Sequence, residues 1–441
     1  MDATLTRLSW LPRVFAIGVI LVVLITGATY THKALQQRSA FLRWREQILQ
    51  LDDGVNIYER FQYPNPPIMA LMLMPLAEMP PLAGALLWFG LKVLMAGGAL
   101  WAGWRILTGA GPAFPTWACC LAIVLSLRPL VGDLTHGNVN ILILFLVSAA
   151  LFAYHRRHEW LSGILLALAI CCKVTPLLFV PYFAWKRQWR VLGGTAVGMA
   201  AFLFLIPALA LGWDQNLTQL GSWTRQMILP FVRDGVVYTE HPNQSLPGVA
   251  YRLLTESPSF TVYPEGQPEP AEFHNIWALK PGIVKLLLRG SQAAFLLGMI
   301  LLCRVPHTCR SGWPIVAEFA FILIGMLILS ERTWKHHCVT LAWPMMVLVY
   351  AAAVLPLSRR RRGAIVAGLT LALLLQFSAG SVGGKRFGDL AQVYGVYLWS
   401  FLILLTLIAG LLLEARRFTE PGALGSIPLG SGGSGCDRAS G

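Results

Sequence analysis

The sequence predicts an all-α polytopic membrane protein, and three observations carry that prediction. Of the 441 residues, 56% are hydrophobic and only 13% are charged. Soluble domains carry roughly a quarter charged residues, so this chain lacks the polar surface that a water-exposed fold needs. Apolar runs approaching the roughly 20 residues that cross a bilayer recur along it. The basic residues, which give a net charge of +14, collect in short clusters between those runs. A basic excess of that kind marks cytoplasmic loops rather than a nucleic-acid surface.

The first run, 11–31, follows Arg7 and includes Arg13. It has no clear small-residue cleavage site and many runs follow it, so it reads as an uncleaved anchor. A mixed polar segment extends to Pro67. The next runs are 68–77, 82–107, 117–131 and 141–154. The run 160–185 is interrupted by Lys173-Val174-Thr175-Pro176. Then come 191–211, a long loop over 213–282, and the runs 283–303, 315–329, 339–355, 364–377 and 396–413. Residues 1–417 thus read as one membrane domain, and the Gly- and Ser-rich stretch 418–441 as a disordered cytoplasmic tail. Of the eight cysteines, Cys119, Cys120, Cys171, Cys172 and Cys338 lie in or beside apolar runs, where cysteine packs as a small hydrophobe. Cys303 and Cys309 flank His307 but lack a fourth ligand, so no metal is expected.

The basic clusters orient the bundle. They are His155-Arg156-Arg157-His158, Lys186-Arg187-Gln188-Trp189-Arg190, the stretch 304–310, the stretch 359–362, and Arg416-Arg417. All fall on the cytoplasmic side, together with both termini, if the run 160–185 enters the membrane and returns. Its 26 residues are too few for two spans but enough for two half-spanning helices. The Lys-Val-Thr-Pro break supplies the turn. Such breaks are tolerated at membrane depth only where they line a cavity or are covered by protein.

This orientation leaves the other polar segments on the extracytoplasmic side: 52–67, 128–140, 173–176, 241–252, 331–337 and Lys385-Arg386. Wet loops are the plain reading of each. Lys173 resists that reading, because an ionisable group between apolar half-helices is costly. As a compact cation it suits a phosphate oxygen, although a Lys in a membrane also snorkels to the interface. Arg128-Pro129 ends a predicted span, and its guanidinium suits a lipid phosphate. In Gly137-Asn138-Val139-Asn140 the asparagines suit helix capping, while Asp133 and His136 are less easily explained. Tyr63-Pro64-Asn65-Pro66-Pro67 opens a short apolar helix, a structural role by default. In Glu331-Arg332-Thr333-Trp334-Lys335-His336-His337 the adjacent histidines do not form a chelating i, i+4 pair. A single ring suits sugar, phosphate or proton, and Trp334 suits a sugar face; interfacial anchoring is the plain alternative. No phosphate-binding glycine loop, dinucleotide fingerprint or zinc-protease signature is present, so a soluble nucleotide donor and cofactor are not expected.

The ordered set Gly54-Val55-Asn56-Ile57-Tyr58, Tyr63-Pro64-Asn65-Pro66-Pro67, Gly137-Asn138-Val139-Asn140, Lys173-Val174-Thr175-Pro176, Asn243-Gln244-Ser245 and Trp334-Lys335-His336-His337 resembles glycosyltransferase family 87, the DUF2029 group. That family includes polyprenol-phosphate-mannose-dependent mannosyltransferases of bacterial membranes. The resemblance implies a GT-C-like bundle of about 10–13 transmembrane or half-spanning helices. It implies transfer of mannose or another hexose or pentose from a polyprenyl-phosphate donor to a lipid or glycan acceptor, outside the bacterial cytoplasmic membrane. The family's base is an Asp of the first external loop. Its place here falls near Ser39 or Ala40, and neither is acidic. Asp52 and Asp53, then Asp133 and Glu46, are the substitutes for that general-base role. Lys173 and Arg128 are expected on donor phosphate. His336, His337, Asn243, Gln244, Asn138 and Tyr63 are expected around sugar or acceptor. A lipid-linked-sugar flippase and a non-catalytic polyprenyl-lipid-binding homologue are the alternatives.

Overall fold

The computed structural model describes residues 10–109, 111–262, 264, 269–306, 311–380 and 383–417. The proposed tail 418–441, His307 and Cys309 lie outside the described residues. The protein is an all-α, multi-pass membrane protein. Among the described residues, seven helices are long and apolar enough to cross a bilayer: Leu11–Leu35, Pro81–Thr108, Thr116–His136, Trp189–Leu211, Pro281–Leu302, Lys335–Val354 and Val396–Ala415. Four shorter apolar helices, Pro67–Ala77, Asn140–His155, Glu159–Cys172 and Trp313–Ile328, fill the interior. Pro67, Pro81 and Pro281 stand at helix starts, where the missing N–H is one the helix leaves unused anyway. Leu11–Leu35 is mostly exposed, whereas Trp313–Ile328 is buried almost throughout. The first therefore presents its apolar surface to lipid, and the second to protein.

The interrupted run forms two helices. Glu159–Cys172 ends at Lys173, a 3-10 turn follows over Thr175–Leu178, and Phe179–Trp185 continues from it. The contacts give the direction of each piece. A Cβ on Gly194 would sit 2.5 Å from the Trp160 carbonyl oxygen, and one on Gly198 would sit 2.7 Å from the Ala167 methyl. Residue numbers rise together along this contact, so Glu159–Cys172 and Trp189–Ala200 run parallel. Both start from the same end of the bundle, and the stretch between them has travelled back. The turns at that end are tight. Arg157 and Arg187 take left-handed φ values of 66° and 54°, while His158 N–H donates to the Ala153 carbonyl and Gln188 N–H to that of Phe183. This is the six-to-one closure that ends many helices.

The long segment 213–282 is not a plain loop. It holds the helices Trp213–Met227 and Leu246–Leu254 and an antiparallel ribbon of Pro258–Val262 with Glu269–Phe273. Helices Ala40–Ile48, Ile57–Phe61 and Lys385–Val393 likewise escape a search for long apolar runs, because they are short and amphipathic. Helix Trp213–Met227 secures the first polar segment. Gln219 Nε2 donates to the Val55 carbonyl, Gln215 Nε2 to that of Leu51, and Asn56 Nδ2 to Ser222 Oγ. Helix Thr116–His136 runs through Pro129 and ends later than the apolar run does, so Asp133 and His136 stand on its last turns.

At the end where the basic turns lie, Lys186 reaches Glu318 at 2.8 Å, and Tyr182 Oη donates to the same carboxylate at 2.8 Å. Both acid and base are buried, which fastens the returning half-helix to Trp313–Ile328. Gly194 permits the close parallel contact described above. Gly194→Ala is therefore expected to cost about 1–3 kcal/mol through overpacking and to lower the melting temperature in detergent. Gly90→Ala, with nothing within 4 Å of the added methyl, is expected to leave it level or raise it slightly.

Candidate active site

The site grows from the end of helix Thr116–His136. Gly137 takes φ 74°, a left-handed turn that suits glycine, and a Cβ there would meet the Tyr30 ring at 3.0 Å. The chain turns and enters Asn140–His155 within a few residues. Asp133, one turn before the end, is fully buried and faces the start of the new helix. Its Oδ1 accepts from Asn140 Nδ2 at 2.8 Å, and its Oδ2 from the Ile141 N–H at 3.3 Å. Asp133, not Asn140, thus caps this helix. Lys92, also fully buried, completes the carboxylate. Its Nζ lies 2.8 Å from Asp133 Oδ2 and donates to the Asp133 carbonyl at 2.6 Å. Asn140 then passes the polarity on, because its Oδ1 accepts from Lys173 Nζ at 2.7 Å.

The chain Lys92–Asp133–Asn140–Lys173 contains two cations and one anion. Among the described residues Lys173 has no carboxylate within salt-bridge distance, so one positive charge is left over. It faces a narrow cleft whose polar lining includes Asn140, Lys173, Thr175, Thr333, His337 and Thr340, with an apolar wall that includes Ile143, Met326 and Leu327. An uncompensated cation in such a setting is a place for an anion.

Two further elements close the cleft. The 3-10 stretch Lys335–Leu341 brings His336 onto His136, with ring centroids 4.6 Å apart and stacked. Asn138 Nδ2 lies 3.3 Å from His336 Nε2. His337 is edge-on to His336 at 4.7 Å and stacked on Trp334 at 6.2 Å. Trp334 remains 41% exposed. Lys335 Nζ donates to the Ala379 carbonyl at 2.7 Å, and Arg128 donates to that of Gln376 and lies over the Phe377 ring at 4.8 Å. Two cations thereby occupy the carbonyl-rich end of helix Arg359–Ser378, where the helix dipole favours them.

The other expected residues stand elsewhere. Asn243 and Gln244 are buried, and their amides are spent within the fold. Asn243 donates to the carbonyls of Tyr238 and Glu331 and accepts from Ser245 N and Thr333 N. Gln244 donates to the His241 and Gln392 carbonyls and accepts from Tyr397 N. Beside them Arg252, fully buried, donates to the carbonyls of Thr239, Glu240, Asn243, Gln392 and Val393. This knot fixes the segment that carries Trp334 and the histidines. Tyr63 is a core residue, edge-on to Trp44 at 6.2 Å; burial pushes its phenol up. Asp52, Asp53 and Glu46 are exposed, the first two on the turn held by helix Trp213–Met227. Ser39 is buried, caps Ala40–Ile48 through the Leu42 N–H at 3.2 Å, and comes close to Gly137. Sequence reading missed Lys92; a charge in the middle of the run 82–107 was its signal.

Residues 63–278 match the family model Glycosyltransferase family 87. Through this segment the chain resembles glycosyltransferase family 87. It is 30% identical over 250 residues to the polyprenol-phosphate-mannose-dependent alpha-(1-2)-phosphatidylinositol mannoside mannosyltransferase of Mycolicibacterium smegmatis, covering 56% of this chain and 49% of the relative. The protein of the same description from Mycobacterium tuberculosis is 24% identical over 253 residues, covering 56% and 48%. An alpha-(1->3)-arabinofuranosyltransferase of Corynebacterium glutamicum is 27% identical over 143 residues, covering 30% and 29%. The chain thus matches about half the length of the mannosyltransferases it resembles. The matched segment contains Lys92, Arg128, Asp133, Asn138, Asn140 and Lys173; His336 and His337 lie beyond it.

The buried pair makes a stability prediction. Removing one partner leaves the other charge stranded, at a cost of about 3–5 kcal/mol. Lys92→Met and Asp133→Asn are each expected to lower the melting temperature sharply. The double variant, with no stranded charge, is expected to melt above either single one.

Proposed function

We propose that this chain is a membrane glycosyltransferase that moves mannose or a related sugar from a polyprenyl-phosphate donor to a lipid or glycan acceptor. The single observation that carries the reading is the unbalanced Lys173 cation at the tip of a half-helix. It sits in a cleft with a polar lining inside an otherwise apolar bundle. A polyprenyl phosphate supplies the missing anion, and its hydrocarbon tail belongs to the surrounding bilayer. The names of the family 87 relatives support this class of donor. The clustering of Arg and Lys at the opposite end of the bundle supports an extracytoplasmic site, with both termini cytoplasmic, in a bacterial cytoplasmic membrane.

In this reading an acceptor hydroxyl attacks the anomeric carbon while the bond from that carbon to the phosphate oxygen breaks. Polyprenyl phosphate leaves with the electron pair, and Lys173 stabilises the charge that gathers on it. His336, His337 and Trp334 flank the sugar, and Asn138 orients His336. Asp133 acts as a positioning residue: with Lys92 bound to it, it holds Asn140, and Asn140 holds Lys173. The hydroxyl proton passes to a carboxylate of the first polar segment, Asp53 or Asp52. Arg128, Asn243, Gln244 and Tyr63 support the walls of the site.

A second reading is favoured by two facts: Ser39 and Ala40 stand where the family's acid belongs, and Asp133 is saturated by Lys92. In that reading the protein binds polyprenyl lipid without transferring sugar. Reconstituted protein with radiolabelled polyprenyl-phosphate mannose and total membrane lipid separates the two. The first reading expects a labelled lipid product. Lys173→Ala should lower transfer at least about 10²-fold, with partial recovery in Lys173→Arg. Asp53→Asn or Asp52→Asn should lower it as well. Donor binding that depends on Lys173, with no transfer from any polyprenyl-phosphate sugar, would establish the second reading. Binding and transfer both indifferent to Lys173 would sink both.

A further inference from the structure

A second concavity lies at the other end of helix Asn140–His155, away from Lys173. It is an apolar groove of about 450 Å³ between helices Pro81–Thr108, Asn140–His155 and Glu159–Cys172. Its floor is made by small residues two helices contribute at matching four-residue spacings, Gly98 with Ala102 and Ala149 with Ala153. Phe145 closes one end. Arg156 and His158 form the other, and both are exposed. Among the described residues Arg156 has no carboxylate partner.

We infer that this groove binds one anionic phospholipid, with an acyl chain along the small-residue floor and the phosphate on Arg156. Length and charge argue for that occupant. From Phe145 to Arg156 the helix advances about 16 Å at 1.5 Å per residue, close to half of the roughly 30 Å hydrocarbon core. The groove is therefore about one leaflet deep, and its basic end stands where headgroups of that leaflet lie. That end belongs to the basic clusters, which attract anionic lipid. This groove offers apolar area and a cation in one line. The inference does not depend on the glycosyltransferase reading.

Native mass spectrometry of the full chain, exchanged into micelles with equal phosphatidylglycerol and phosphatidylcholine, tests it. The protein is expected to retain one phosphatidylglycerol with a preference of about fivefold, the effect of one basic side chain near a membrane surface. Arg156→Ala should bring that preference close to one, and Arg156→Lys should restore it. Ala149→Phe, which fills the floor, should reduce retention of either lipid. Arg156 is exposed, so its variants are expected to melt with the parent protein. Equal retention of both lipids by the parent, or a preference unchanged in Arg156→Ala, would overturn the inference. So would full retention in Ala149→Phe.

Discussion

The structure turns on one buried ion pair. Lys92 and Asp133 come from different helices, are both shut away from solvent, and neutralise one another. Such a pair contributes little net stability compared with an apolar substitute, so its value lies in what it arranges. Because Lys92 satisfies one side of the carboxylate, the remaining lone pairs take the Ile141 N–H in the first turn of the next helix and the amide of Asn140. Asn140 is thereby oriented with its carbonyl oxygen outward, and Lys173 docks on it. The Lys173 charge at the cleft is thus supported by a pair that carries no net charge of its own. Replacing Asn140 with an acid would cancel the surplus positive charge at the cleft.

The same economy appears at the wall opposite. Trp334 and the histidines stand on an irregular 3-10 stretch, which alone would be a poor platform for positioning. It is made firm by Asn243, Gln244 and Arg252, whose polar atoms are directed at backbone carbonyls and amides rather than at one another. Arg252 is well matched to this task, since its planar fork satisfies several carbonyls at once. The segment is held by its backbone, which leaves the His337 side chain at the cleft and Trp334 stacked beside it.

Much of this was legible in the sequence. Apolar runs gave the spans to within a few residues, and the Lys-Val-Thr-Pro interruption marked the half-helices because proline and a lone lysine are both conspicuous in hydrocarbon. Lys173 was legible for the same reason. Lys92 carried the same signal but sat in a run long enough to absorb one charge without breaking. The roles of Asn243 and Gln244 were not legible. An amide used for architecture and one used for a ligand look alike until their partners, about 90 residues away for Thr333 and 148 for Gln392, are known. Helix Trp213–Met227 was missed because hydropathy rewards continuous apolarity, whereas this helix has one face packed on the first polar segment and another exposed. Ser39 lies beside Gly137 and the polar turn, a proximity across almost 100 residues that no local pattern reveals.

The interrupted helix also says something about the order in which the molecule assembles. Its halves are 14 and 7 residues long, and neither is long enough to lodge in a bilayer unaided. Their broken ends need protein neighbours. One neighbour, Asn140, emerges before the half-helices; another, Glu318, emerges more than a hundred residues after them. Tyr182 and Lys186 are therefore clasped only once the later helix has arrived. The cleft around Lys173 is finished late in biogenesis, and a nascent chain halted before Trp313–Ile328 has its lysine without its pocket.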